Sequence, residues 1–166
     1  KVTGVQTCAL PICMEYLRTN HLSLAGHFLK SARVIGPDDP LCYHELGVLS
    51  FRKSEWDDAA GWFLNAIRIY TELVAYSNSE VFYDSDTKAP LLTFAHLTLV
   101  TTSSHNALDY VERCQDHFWE PTIFNLGHCY RKLKNFQEAL ICFEKCISLC
   151  PVRLLLQFED LRCNIF

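Results

Sequence analysis

The fold turns on LGVLSFRKSEWDDAAGWFLNAI, residues 46–67. In its second half Ala59, Phe63 and Ala66 are spaced by four and three, the interval that puts side chains on one face of a helix. Gly47, preceded by Leu46, stands twelve residues before Ala59. The same figure recurs on both sides. Thirty-four residues earlier stand Ala25, Leu29 and Ala32. Eighty residues later stand Ala139, Phe143 and Cys146, with Leu126-Gly127 in the place of Leu46-Gly47. Pro37 and Pro151 each follow the last residue of their figure by five. Tyr130 follows its glycine by three, where the middle unit has Ser50. In the first unit Cys13 takes the glycine's place and Tyr16 the aromatic's.

Physically, each unit is a pair of antiparallel helices. Glycine and alanine are small where the axes cross and let the backbones approach closely, while Phe63 and Phe143 fill the space between helices. Boundary residues agree. Asp39 suits a cap for a helix opened by Pro40. Ser54 with Asp57, and Asn135 with Glu138, suit capping boxes for the second helices. Gly36-Pro37 and Pro151 suit stops. The spacing predicts helices over 14–20, 21–35, 40–53, 55–74, 120–133 and 136–150. This resembles the tetratricopeptide pattern, with a generic helical bundle as the alternative. The expected fold class is all-α: a right-handed solenoid of helix-turn-helix units with a long irregular insertion.

Three stretches fall outside the repeat. Val2–Ile12, VTGVQTCALPI, has no helical period and resembles a translated sequencing adapter. Residues 1–13 are therefore expected to be non-native, with the natural chain before Met14 lost. The units occupy 14–39 (truncated), 40–75 (second helix extended through Ile67, Ile69, Tyr70 and Leu73) and 119–151. Between them, 76–118 is expected to be an insertion. Tyr76–Asn106 is rich in Ser, Thr and β-branched residues, and within it Thr98–Ser104 favours strand or loop over helix. A retained intron is the favoured reading, with a disordered natural insert and a binding loop as alternatives. The tail, 152–166, lacks the next Leu-Gly pair.

Composition narrows the function. Fifteen Lys and Arg against nineteen Asp and Glu give a net charge of −4, which argues against a strongly basic nucleic-acid binder. No apolar run reaches the roughly 18–20 residues a membrane helix needs; the long uncharged stretch Ala89–Asn106 is diluted by Thr, Ser and His. Nine cysteines, an odd number sitting mostly in helical patterns, suit reduced thiols. Cys142, Cys146 and Cys150 share a helix face at intervals of four and could hold zinc only with a fourth ligand. Packing is the stronger reading, because Cys146 occupies a small core position of the repeat. His128-Cys129 are adjacent on a helix and diverge, which disfavours a catalytic pair. No metal, cofactor or catalytic residue is expected.

Beyond the repeat markers, residues 36–67 and 119–151 resemble consecutive units of the anaphase-promoting complex subunit 6 (cell division cycle protein 16) family. The tokens are His44-Glu45-Leu46-Gly47-Val48, Trp56 with Trp62-Phe63, Trp119-Glu120-Pro121, Asn125-Leu126-Gly127-His128 and Arg131-Lys132-Leu133-Lys134. Met14–Pro37 fits the preceding unit. The resemblance implies a non-catalytic scaffold subunit of a ubiquitin ligase acting in mitosis, in nucleus and cytoplasm. It implies other subunits of that complex as partners, including a small accessory subunit of the cell division cycle protein 26 type held in the inner groove. It also implies homodimerisation through a region absent here, and neither nucleic acid nor membrane. On the repeat register, that groove is expected along His44, Val48, Phe51 and Arg52 of one first helix and Phe124, His128, Arg131 and Lys132 of the next. Repeat packing is assigned to Gly47, Ala59, Phe63, Ala66, Gly127, Ala139, Phe143 and Cys146. The alternative is a tetratricopeptide adaptor or co-chaperone reading acidic C-termini through an Asn and Lys/Arg clamp. Asn125 and Lys132 suit it, but Glu45 and Arg52 stand at the equivalent places one unit earlier.

Overall fold

The structure, a computed structural model, describes residues 4–78 and 108–151, with side chains over 9–77 and 108–151. Residues 79–107 and 152–166, where the sequence places most of the insertion and the atypical tail, lie outside the described residues. The elements are α1 (Gly4–Arg18), α2 (Leu22–Ile35), α3 (Pro40–Arg52), α4 (Trp56–Asn78), α5 (Asp109–Arg113), a 3-10 turn (His117–Trp119), α6 (Glu120–Lys132) and α7 (Phe136–Leu149). No strand occurs among the described residues. Helices pair as α1 with α2, α3 with α4 and α6 with α7, and the pairs stack through α2 on α3 and α4 on α6. The chain is an all-α tetratricopeptide-type array. Among the described residues no helix is long and apolar enough to cross a membrane.

Each pair is closed by the same turn. Asn20, Ser54 and Lys134 have φ of 61°, 65° and 66°, at positions separated by the repeat spacings of 34 and 80. The amide after each one donates to a carbonyl five residues back: His21 to Tyr16 at 2.8 Å, Glu55 to Ser50 at 3.0 Å, Asn135 to Tyr130 at 2.9 Å. A left-handed residue with this bond satisfies carbonyls that a helix end leaves open. This corrects the capping expectation. Ser54 lies in the turn, ahead of a helix that begins at Trp56. Asn135 makes no side-chain capping bond. Asp39 does cap α3, its Oδ1 accepting from the Leu41 amide at 3.0 Å beside Pro40.

Two further expectations are corrected. The stretch 2–12 was expected to lack helix, yet α1 begins at Gly4 and carries Pro11 inside it. Proline removes a donor and crowds the preceding turn. Against that cost, Ala9, Cys13 and Leu17, spaced by four, form one buried face clustered with Ala25, Leu29 and Ala32 of α2. The insertion was expected to run to 118, yet its return leg is part of the core. Leu108, Tyr110, Val111 and Cys114 are buried with Ile67 of α4 and Ile123 of α6. Lys145 Nζ donates to the Glu112 carbonyl at 2.7 Å, tying α5 to α7. The extended end of α4 is held by an Arg68–Glu72 ion pair at 3.0 Å. The Tyr70 hydroxyl also donates to Asp116 Oδ2 at 3.1 Å.

Candidate peptide-binding groove

The first helix of each pair brings a small residue to the place where the second helix brings a large one. A Cβ built on Gly47 would lie 2.5 Å from the Phe63 ring, and one on Gly127 would lie 2.8 Å from the Phe143 ring. In the first unit the exchange is Cys13 against Leu29, both fully buried in one cluster. Ala59 and Ala66 flank Phe63 in the core, and Ala139 and Cys146 are the buried residues at the matching positions. The close approach of the paired helices fixes how each first helix presents its remaining face.

Between α1 and α3 that face opens into a groove of about 570 Å³. Pro11, Met14, Leu17 and Val48 give it apolar surface, and Glu15, Arg18, Glu45 and Arg52 give it charge. Glu15 and Arg18 form a fork, with guanidinium–carboxylate distances of 2.9 and 2.6 Å. The Arg18 hydrogen bond holds the Glu15 carboxyl below its usual range. Arg52 Nη1 donates to the Leu17 carbonyl and so bridges α3 to α1. Glu45 is half-buried, and desolvation pushes its carboxyl up, against the opposing charge of Arg52. An apolar floor with fixed charges along it suits an extended peptide laid across first helices.

Of the residues placed on the groove from sequence, Val48 and Arg52 line it. His44 is turned to the next unit, its Nδ1 2.8 Å from Thr122 Oγ1 and its ring 5.7 Å from that of Phe63. Burial pushes the His44 imidazole down. Phe51 meets the Trp56 ring edge-on at 4.9 Å, and Lys132 Nζ stands 5.5 Å over the same indole. Phe124 packs on His128 at 4.5 Å and on Phe143 at 5.7 Å. His128 also lies 5.3 Å from Phe143 and 3.4 Å from Arg131 Nη2. Burial, then Arg131 and Lys132, push its imidazole down. Arg131 is exposed. These aromatic side chains bury against their own fold because apolar area is worth more there than in water. The α1 wall, Pro11, Met14, Glu15, Leu17 and Arg18, was not foreseen; Tyr16 at the repeat's aromatic position was its one signal.

The cysteines pack. Cys13, Cys42, Cys114, Cys129, Cys142 and Cys146 are buried. Cys142 and Cys146 face the interior of the α6/α7 pair, and Cys146 Sγ donates to the Glu120 carbonyl at 3.7 Å. Among the described residues no group of three His, Cys, Asp or Glu is placed to hold a metal.

Helix pairs closed by one turn type, interlocked by size exchange and stacked around a first-helix groove, define a tetratricopeptide array. A tetratricopeptide repeat family model matches residues 122–151, the α6/α7 pair. Along most of its length the chain is similar to Anaphase-promoting complex subunit 6 of Arabidopsis thaliana, 32% identical over 145 residues, which is 86% of this chain and 19% of that protein. It is likewise similar to the Cell division cycle protein 16 homolog of Homo sapiens, 33% identical over 147 residues, 87% of this chain and 18% of that protein. Anaphase-promoting complex subunit 6 of Dictyostelium discoideum is 29% identical over 180 residues, 90% of this chain and 20% of that protein. The chain thus spans about a fifth of the length of these relatives.

Proposed function

We propose that this chain is a segment of a non-catalytic tetratricopeptide scaffold in the anaphase-promoting complex, a ubiquitin ligase of the cell cycle. The observation that carries the reading is the groove between α1 and α3, a peptide-sized trough on a segment similar to subunit 6 over most of its length. The scaffold joins other subunits of the complex and holds an extended segment of a small accessory subunit along its first helices. It works in nucleus and cytoplasm, and its homodimer is made by parts of the full-length protein beyond this segment. The carboxylate-clamp reading is disfavoured by Glu45, whose charge sits where a clamp needs a donor, and by Lys132, which is engaged with Trp56.

The test uses the full-length protein carrying Met14→Glu and Arg18→Glu, two exposed residues of the α1 wall. Captured from cells, the variant should lose the accessory subunit at least tenfold while keeping its helical circular dichroism and the other subunits. Accessory subunit bound at the unsubstituted level would overturn the groove assignment. Absence of any anaphase-promoting complex subunit from the unsubstituted capture would overturn the scaffold reading itself.

A further inference from the structure

A second groove, of about 340 Å³, lies between α2 and α3. Its floor is apolar: Leu46 and Leu49 of α3 are buried there, and Gly26 of α2 leaves space above them. A Cβ on Gly26 would already stand 3.3 Å from Leu49 Cδ2. The rim is basic. His27 and Lys30 stand in the middle of α2, Lys53 stands just past the end of α3, and all three are exposed. No carboxylate lines this groove, whereas Glu15 and Glu45 offset Arg18 and Arg52 in the groove between α1 and α3. Among the described residues neither Lys30 nor Lys53 is held in an ion pair.

The repeat shows that the basic rim is no part of the packing plan. At the next seam, α4 on α6, the places of His27, Lys30 and Lys53 are taken by Gly61, Leu64 and Leu133. Leu64 packs there against the core that holds Ala60 and Cys129, which stand at the places of Gly26 and Leu49. One seam is thus sealed by apolar contact, and the other keeps an open trough whose charged side chains are all basic, in a chain of net charge −4. The helix dipole favours a cation at a C-terminus and so accounts for Lys53, but it has faded at the middle of α2, where His27 and Lys30 stand. We infer that the α2/α3 seam docks an acidic segment of a partner protein, a leucine-sized side chain entering over Gly26 and flanking Asp or Glu carboxylates meeting Lys30 and Lys53. Ammonium point charges on two elements suit carboxylates spaced along a chain. The planar fork that favours phosphate is missing, since no arginine lines the groove. The inference is independent of which peptide the α1/α3 groove takes.

The test measures, by fluorescence anisotropy, binding of a dye-labelled, end-blocked peptide, Gly-Asp-Glu-Leu-Asp-Glu-Gly, to the whole chain. Binding should weaken at least about tenfold as salt rises from about 0.1 M to about 1 M, because the Debye length falls from about 10 Å to about 3 Å. Lys30→Glu with Lys53→Glu should raise Kd at least about tenfold with helical circular dichroism retained, since both side chains are exposed. Lys30→Gln alone should give a smaller loss of the same sign. Serine in place of the peptide's leucine should also weaken binding at least about tenfold, because charge alone leaves the apolar floor unused. The inference fails if the unsubstituted chain does not bind the peptide or if the double variant binds it equally. It fails too if the serine version binds as well, which would mean diffuse attraction without a seat. Tighter binding of a peptide carrying phosphoserine at the acidic positions would assign the seam to phosphate and overturn the carboxylate reading.

Discussion

The α3/α4 pair and the α6/α7 pair follow one plan, and their surroundings separate them. Phe63 lies fully buried beside Gly47, with α2 stacked against α3 on one side and α6 against α4 on the other. Phe143 meets Gly127 in the same way but remains partly exposed. The middle pair has neighbours on both sides, while the outward face of α7 has none among the described residues. In a repeat array the helix pair sets the geometry, and the neighbours set how tightly that geometry is enforced.

Enlarging the glycines breaks this comparison most sharply. Gly47→Leu drives a side chain into a buried ring that has nowhere to go and should cost about 3 kcal/mol or more. Gly127→Leu meets a ring with room to swing and should cost nearer 1–2 kcal/mol. Urea unfolding of both variants reads the difference; equal losses would mean that the neighbours do not confine Phe63.

A smaller effect lies at the seam between the pairs. Desolvation lowers the His44 imidazole, whose Nδ1 meets Thr122, so the folded chain favours the neutral ring. With a folded pKa below the unfolded value near 6.5, the contribution is complete above that value and fades as pH falls through it. Glu45, raised by burial, works in the opposite sense, gaining stability as pH falls. The difference between the chain and His44→Gln isolates the histidine: melting temperatures should converge from pH 7.5 to 5.5. A constant gap over that range would remove the seam's pH dependence.

The smallest effect should have the opposite sign. Gly61 lies in α4 with open space around a built Cβ. Gly61→Ala should therefore stabilise by about 0.5–1 kcal/mol, since glycine inside a helix carries an entropic cost without a packing role there. A loss on thermal melting would show that this face is covered.

The interval of 34 and the small residues at the crossings made the helix pairs legible, because both follow from helix geometry and steric limits. Asp39-Pro40 made the start of α3 legible for the same local reason. Long-range burial was not legible. In α1, Pro11 and the uncharged run around it conceal a face that emerges only against α2. Val111 and Cys114 follow a Ser- and Thr-rich stretch whose composition masked them, and their burial depends on α4, α6 and α7 converging there. The groove was half legible. Val48 and Arg52 stand on the expected face, but His44 and Phe51 share it and turn to partners that repeat register alone does not reveal.

The buried thiols turn the array into a chemical clock. Burial pushes Cys13, Cys129 and Cys142 up to about 12 and Cys42 up to about 11, so almost no thiolate exists at neutral pH while the helices stay closed. An alkylating reagent can reach them only when a layer opens, and the rate then counts openings. Cys13 and Cys42 report the first pair and its seam with α3, and Cys129 and Cys142 report the last pair. Sulfur thus gives each of the two buried clusters its own readable rate of breathing.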